Sequence, residues 1–189
     1  MSADATTTLL LAVDLHPAFL DAIPGGARTL RRATVAVAAA QGLALPVAFT
    51  EQVPTKLGPT APALLALAPG APVFAKETFS ALADDTSRAA LLEERRVDHL
   101  LLCGIETPIY IHQTALDARR AGLEVTLLSD AIGARRTDDA EACLTALRAA
   151  GVHVIPSETV FYSLLGSARH PFFRDFTKLV KTHAEPAAI

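Results

Sequence analysis

Asp14, Lys76 and Tyr110 are the residues whose types and placement could do chemistry in this chain. Asp14 stops the apolar run 8–13, Lys76 stops the run 73–75, and Tyr110 follows the run 100–103 after a short turn. A carboxylate, an ammonium and the first turn of a helix make a site by topology, and a strand–turn–helix corner is where an activated nucleophile or an anion site is often built. The phenol is the odd member of the set. A thiol starts from a pKa of ~8.5 and is lowered further at a helix N-terminus, whereas a phenol starts from ~10. The helix dipole and Lys76 are expected to lower Tyr110 by roughly one or two units, which leaves much of it neutral near pH 7.

The elements that must position these groups follow from the hydrophobic pattern. Apolar runs of strand length at 8–13, 45–49, 73–75, 100–103, 125–128 and 152–155 alternate with helical stretches. Helices are expected over 27–41, 63–67, 85–96, 107–121, 137–150, 157–166 and 171–181, with Gly42, Gly122 and Gly151 as stops. The segment 50–60, which holds two prolines and a glycine, is expected to be a loop. Thr107 reads as the cap of the central helix and Pro108 as its first residue, because Pro has no N–H to leave unsatisfied and a φ that suits a helix. Tyr110 then sits in the first turn, where free N–H groups and the helix dipole favour negative charge.

This alternation implies the α/β class: a three-layer α/β/α fold around a six-stranded parallel, doubly wound (Rossmann-like) sheet. The reading is one domain over 1–189, with loose termini at 1–7 and 183–189. Ligands of such sheets bind beyond the carboxyl ends of the strands. Asp14, the trio Thr50-Glu51-Gln52, Lys76 and the turn 105–110 are all stationed there, so they are expected to converge.

Composition narrows the class of partner. A net charge of −3 supplies no electrostatic footprint for nucleic acid or anionic membrane. No apolar run approaches the ~20 residues of a bilayer span. The first residues lack the basic segment of a secretory signal, and two cysteines make no disulfide framework, so a cytoplasmic location is expected. The hydrophobic fraction of 51% leaves apolar surface for a homo-oligomer to cover. A small molecule is the expected partner.

A family resemblance rests on ordered motifs along nearly the whole chain. Asp14-Leu-His-Pro-Ala-Phe19 resembles the D-x-Q-x-x-F start of the isochorismatase-like cysteine hydrolases, and Phe74-Ala-Lys-Glu-Thr-Phe-Ser80 their K-x-x-F-S segment. Gly104-Ile-Glu-Thr-Pro-Ile-Tyr-Ile-His-Gln-Thr-Ala-Leu-Asp117 resembles their G-I-E-x-H-V-C-V-x-x-T-A-L-D block, and Ser129-Asp130-Ala131 with Arg135-Arg136 the S-D-A…S-R that follows. The segment from Thr50 to Thr60, Ser157-Glu158-Thr159 and His170-Pro171 are similar to the isochorismatase-domain-containing subgroup.

The resemblance implies a hydrolase with an Asp–Lys–Cys triad and an oxyanion hole of two backbone N–H groups beside a non-proline cis peptide. By position, Asp14 is the base, Lys76 the lysine, Ile105–Glu106 the cis bond, and the Glu106 and Tyr110 amides the oxyanion donors. Tyr110 stands where the cysteine belongs. His16, Phe19, Gln52 and Thr107 are the expected pocket residues. The metal-binding Asp-x-His pattern of the nicotinamidase branch is missing, so no metal and no cofactor are expected.

Plainer roles remain open for each group. Asp14 could be a polar strand terminator, Lys76 a surface lysine, and the two together a buried ion pair that survives because losing one partner strands the other. Arg135 and Arg136 could hold an anion or pair with Asp138 and Asp139. Cys103 reads as a small core residue in a strand, and Cys143 as part of a helix's apolar stripe. Two functions follow: a small-molecule hydrolase that works without the family thiolate, with Asp14 activating water, or a catalytically inactive member that serves as a ligand-binding or oligomeric scaffold.

Overall fold

A computed structural model describes residues 7–93 and 96–183 of the chain. Apart from Thr7 and His183, the expected loose termini lie outside the described residues. The chain runs β1 (Thr8–Val13), α1 (Pro17–Asp21), α2 (Gly26–Gly42), β2 (Val47–Gln52), α3 (Pro54–Leu57), α4 (Pro62–Leu67), β3 (Val73–Lys76) and α5 (Asp85–Arg88). It continues through β4 (His99–Gly104), α6 (His112–Arg120), β5 (Glu124–Ile132), α7 (Thr137–Ala149), β6 (His153–Ile155), α8 (Ser157–Leu165) and α9 (Phe173–Thr182). π-helical turns at Ala89–Glu93 and Thr107–Ile111 follow α5 and precede α6.

The six strands form one parallel sheet in the order β3-β2-β1-β4-β5-β6. The chain builds outward from β1 to β3, then returns to the other side of β1 for β4 to β6. The reversal makes the β1–β4 junction a topological switch point, where the carboxyl ends of the two strands diverge and leave a crevice. β1, β2 and β4 are buried along their whole length, as strands covered by helices on both faces must be.

Strand alternation divides the interior in two. Leu10, Ala12, Phe49, Leu101 and Cys103 point to a core closed by α2, α4, α8 and α9. Leu9, Leu11, Val13, Leu100, Leu102, Val125 and Leu127 point to the opposite core, closed by residues such as Leu91, Ile111, Ala115 and Leu147.

Several boundaries differ from the sequence pattern, each for a local reason. β2 continues through Thr50, Glu51 and Gln52, because Gln52 still pairs with Lys76 of β3; only then does Val53, at φ 41°, turn the chain. The expected loop therefore starts later and includes the helical turn α3. Gly42 is the last residue of α2 rather than its left-handed stop. Its lack of a side chain serves packing: a Cβ there would lie 2.0 Å from the Phe172 ring. The helix expected over 85–96 is α5 followed by a π-helical turn to Glu93, and residues 94–95 lie outside the described ones.

Candidate active site

Asp14 leaves β1 with φ at 52°, a left-handed conformation that Asp tolerates better than most side chains. Its Oδ1 accepts a hydrogen bond from Thr50 Oγ1 at 2.8 Å, and its Oδ2 accepts one from Lys76 Nζ at 2.6 Å. The register of β1 against β2 and of β2 against β3 sets these partners, since Val13 lies opposite Thr50 and Gln52 opposite Lys76. Lys76 Nζ also donates to Gln52 Oε1 at 2.6 Å and to the carbonyls of Thr78 and Phe79 at 3.2 and 3.4 Å. The side chains of Lys76 and Asp14 are 2% and 0% exposed.

Burial acts against both charges. It raises the Asp14 carboxyl above its ordinary range against the pull of Lys76 and Thr50, and it lowers the Lys76 ammonium against the pull of Asp14. The pair is held together by its hydrogen bonds and by the cost of leaving either member alone.

The other half of the site lies at the end of β4. Gly104 has φ at 124°, and a Cβ on it would lie 2.1 Å from the Val13 carbonyl oxygen, so glycine is what lets β4 end against β1. Ile105 N–H donates to that same oxygen at 3.0 Å, and the following Ile105–Glu106 peptide bond is cis. Among the described residues, Glu106 N–H donates none of the backbone hydrogen bonds made outside the regular elements.

The helical segment opens at Thr107, with Pro108 as its second residue rather than its first, and it opens as a π-helical turn in which Ile111 N–H reaches Glu106 O at 3.3 Å. Thr107 is not the cap. Glu106 holds that position, and Thr107 directs both its N–H and its Oγ1 to Gly133 O, each at 2.9 Å. Gly133 N–H in turn donates to Gly104 O at 3.1 Å, so the ends of β4 and β5 are clamped together beneath the turn.

Tyr110 projects from this turn over the acid–base pair. Lys76 Nζ stands 4.6 Å from the centroid of its ring. Phe19 stacks on Tyr110 with centroids 5.9 Å apart and planes 16° apart, and Phe79 approaches at 6.1 Å. The phenol's pKa is raised, by burial first and then by the Asp14 and Glu106 carboxylates, with Arg135 opposing. The expected lowering is therefore reversed. The ammonium meets the face of the ring, and the two carboxylates disfavour a phenolate.

A cavity of about 280 Å³ lies against Phe19 and Tyr110. Phe19, Ala22, Ile23, Ile105, Glu106, Ile109, Tyr110 and Arg135 line it, and neither Asp14 nor Lys76 does. Of the expected pocket residues, Phe19 lines the cavity. His16 is fully buried instead: its Nδ1 donates to Gly58 O at 2.8 Å while its Nε2 accepts from Gln52 N–H at 3.0 Å. Gln52 serves Lys76. Thr107 borders a neighbouring, more polar cavity of about 390 Å³ together with Gly25, Thr29 and Gly133.

Arg136 pairs with Asp139, as one of the sequence alternatives had it, but Arg135 pairs with Glu106. Ala22, Ile23, Ile105 and Ile109 carry no sequence signal that separates a cavity wall from a core. Arg135 and Thr50 had one, as polar residues beyond strand ends. Among the described residues, no group of three or more His, Cys, Asp or Glu is placed to hold a metal ion.

Comparison with known proteins agrees with this fold. The model of the isochorismatase domain matches residues 8–159. Isochorismatase domain-containing protein 2 of Xenopus laevis is 33% identical over 181 residues, covering 96% of this chain and 85% of its own. The MAR1 ribonuclease structure from Caenorhabditis elegans superposes with a TM-score of 0.90 at 28% identity, covering 100% of this chain and 97% of that one. The YcaC gene product of Escherichia coli, described as an octameric hydrolase of unknown specificity, superposes with a TM-score of 0.89 at 21% identity over 96% of this chain and 90% of its own, and shows the shared fold.

Proposed function

This chain belongs to the isochorismatase-like hydrolase family, and from that premise we propose that it binds a small molecule in the cavity beside Tyr110, with the acid–base pair of Asp14 and Lys76 retained but walled off. One observation carries this reading: the Tyr110 ring covers the Lys76 ammonium at 4.6 Å, while the cavity wall includes Tyr110 and neither member of the pair. The family thiolate is absent from the position that Tyr110 occupies. A phenol with a raised pKa is a poor substitute nucleophile, because so little of it is ionised near neutral pH. The Glu106 and Tyr110 amides, at the start of the helical segment, supply N–H donors for a carbonyl oxygen or other acceptor of the ligand.

A second reading keeps the hydrolase. Burial raises the Asp14 carboxyl, the direction that suits a general base. Asp14 would then activate water, with the oxyanion on the Glu106 and Tyr110 amides. It requires the Tyr110 ring to swing away so that water and substrate can reach the pair.

The nematode relative is called a ribonuclease. The net charge of −3 here supplies no footprint for a polyanion, so the proposal stays with small molecules. Self-association belongs to the same proposal, supported by the exposed apolar side chains of Val73, Phe79 and Tyr162, which a second copy could cover. So does a cytoplasmic location, supported by two cysteines that are both free. No helix among the described residues is long and apolar enough to cross a membrane.

The deciding experiment is a turnover screen against amides, esters and vinyl ethers alongside ligand-observed NMR, using the wild type and a folded Asp14→Asn variant. Binding without turnover, unchanged in Asp14→Asn, is expected. Wild-type turnover that Asp14→Asn abolishes overturns the binding reading and establishes the hydrolytic one.

A further inference from the structure

The charges in the cavity wall belong to one bonded pair, Glu106 and Arg135. Phe19, Ala22, Ile23, Ile105 and Ile109 offer only hydrocarbon side chains, whereas Glu106 and Arg135 bring opposite charges. The pair is asymmetric. Arg135 donates its Nε to Glu106 Oε1 and Oε2 at 3.1 and 2.9 Å, and its backbone N–H to Oε1 at 3.2 Å. Both Glu106 oxygens are satisfied from a single nitrogen of the guanidinium and the peptide behind it. The two Nη groups donate to no acceptor among the described residues. A guanidinium held by Nε presents its Nη groups as a ready fork for a second carboxylate.

We propose that the cavity takes a small monocarboxylate with an apolar body, and that Arg135 determines this specificity by binding the carboxylate through its Nη groups. The proposal rests on the reading of the cavity as a ligand site. The apolar body lies against Phe19, Ile23 and the Tyr110 ring. The volume of about 280 Å³ corresponds to roughly nine waters' share of liquid, which limits the ligand to a compact molecule. Charge sets the valence. Glu106 cancels Arg135, and Asp14 cancels Lys76, so one ligand carboxylate leaves a single net negative charge, and a dicarboxylate would meet Glu106 without a second cation. Glu106 thus fixes Arg135 in place and weakens its hold on any anion at the same time.

That dual role gives the test. Phenylacetate and its uncharged isostere phenylacetamide are titrated against the whole protein at neutral pH by calorimetry or ligand-observed NMR. Wild type should bind phenylacetate about tenfold or more tightly than phenylacetamide. Arg135→Gln should remove that preference by lowering phenylacetate to about the affinity of phenylacetamide. Glu106→Gln should widen the preference for phenylacetate several-fold, because the competing anion is gone. Equal or better binding of the amide by wild type overturns the specificity while leaving the cavity a ligand site. Weakening of both probes by Glu106→Gln also overturns it, since a merely structural pair would act that way. Ile109→Trp fills the cavity and should abolish both. If neither probe binds wild type, or binding survives Ile109→Trp, the ligand-site reading falls together with this one.

Discussion

The ammonium of Lys76 faces the ring of Tyr110 at 4.6 Å from its centroid, and the Tyr110 hydroxyl makes no hydrogen bond among the described residues. A cation over an aromatic face is attracted by the ring's electron density, most strongly where water is excluded. The Tyr110 ring is thus a hydrophobic lid on a lysine whose Nζ is already committed to Asp14 and Gln52.

Removing one member of the pair should cost more than removing both. Asp14→Asn leaves a buried ammonium without its counter-charge and should lower stability by about 3–5 kcal/mol, whereas adding Lys76→Met should recover a large part of that loss. Denaturant unfolding of the two single variants and the double variant measures the cycle. A single variant within about 1 kcal/mol of wild type would show that the pair is not sealed as described.

Tyr110 should titrate late. In a Tyr162→Phe background it is the sole phenol, and ultraviolet absorbance should show its ionisation above the ordinary 10.0, because burial and the Asp14 and Glu106 carboxylates disfavour the phenolate. With the folded pKa above the unfolded one, the stabilising contribution is complete below pH 10.0 and is lost as pH rises through the folded pKa. Ionisation below 10.0 would restore Tyr110 as a nucleophile.

Tyr110→Cys should uncover a reactive thiol beside Asp14 and Lys76. With Cys143→Ser to remove the more accessible native thiol, iodoacetamide should label Tyr110→Cys about tenfold or more faster than the protein that keeps Tyr110. Cys103 gives little background, since burial pushes its thiol up to about 12. Labelling no faster than that background would mean that the acid–base pair cannot activate a thiol placed there.

Acid should loosen the attachment of α8. Burial raises the Asp130 carboxyl, but hydrogen bonds from Ser157 N–H and Oγ, together with Arg32, outweigh it and hold the pKa below 3.8. The stability this supplies is present above pH 3.8 and is lost as pH falls through the folded value. Asp130→Asn should flatten the acid side of the stability–pH curve, as chemical denaturation across that range would show; an unchanged slope would count against the network.

Gly104→Ala should be among the most damaging one-atom additions. The backbone there has φ at 124°, and the new Cβ would lie 2.1 Å from the Val13 carbonyl. A loss of more than about 2 kcal/mol is expected in urea unfolding. A tolerated substitution would mean that β4 can end elsewhere.

Much of the fold was legible because its causes are local. A run such as Leu9-Leu-Leu-Ala-Val13 is apolar at every position, so it must be covered on both faces, and alternation with helices leaves a parallel sheet as its setting. The strand ends were legible for the same reason: Asp14 and Lys76 interrupt apolar runs, and parallel register brings both to the carboxyl end of the sheet.

What only the tertiary structure decided is which way side chains point and what meets them. His16 stands two residues after Asp14 in sequence, yet its ring turns inward to bridge Gly58 and Gln52. Arg135 precedes the acidic pair Asp138-Asp139 but pairs with Glu106, which the β4–β5 clamp brings alongside it. Tyr110 shows the division most clearly. Sequence put it in the first turn of a helix, with a lysine expected nearby, from which a lowered pKa was expected. The fold turned the face of its ring to the ammonium and left the phenol among buried surface and carboxylates, which raises the pKa instead. Spacing along the chain fixes what can be near; the sign of an electrostatic effect depends on the distance and orientation of individual atoms.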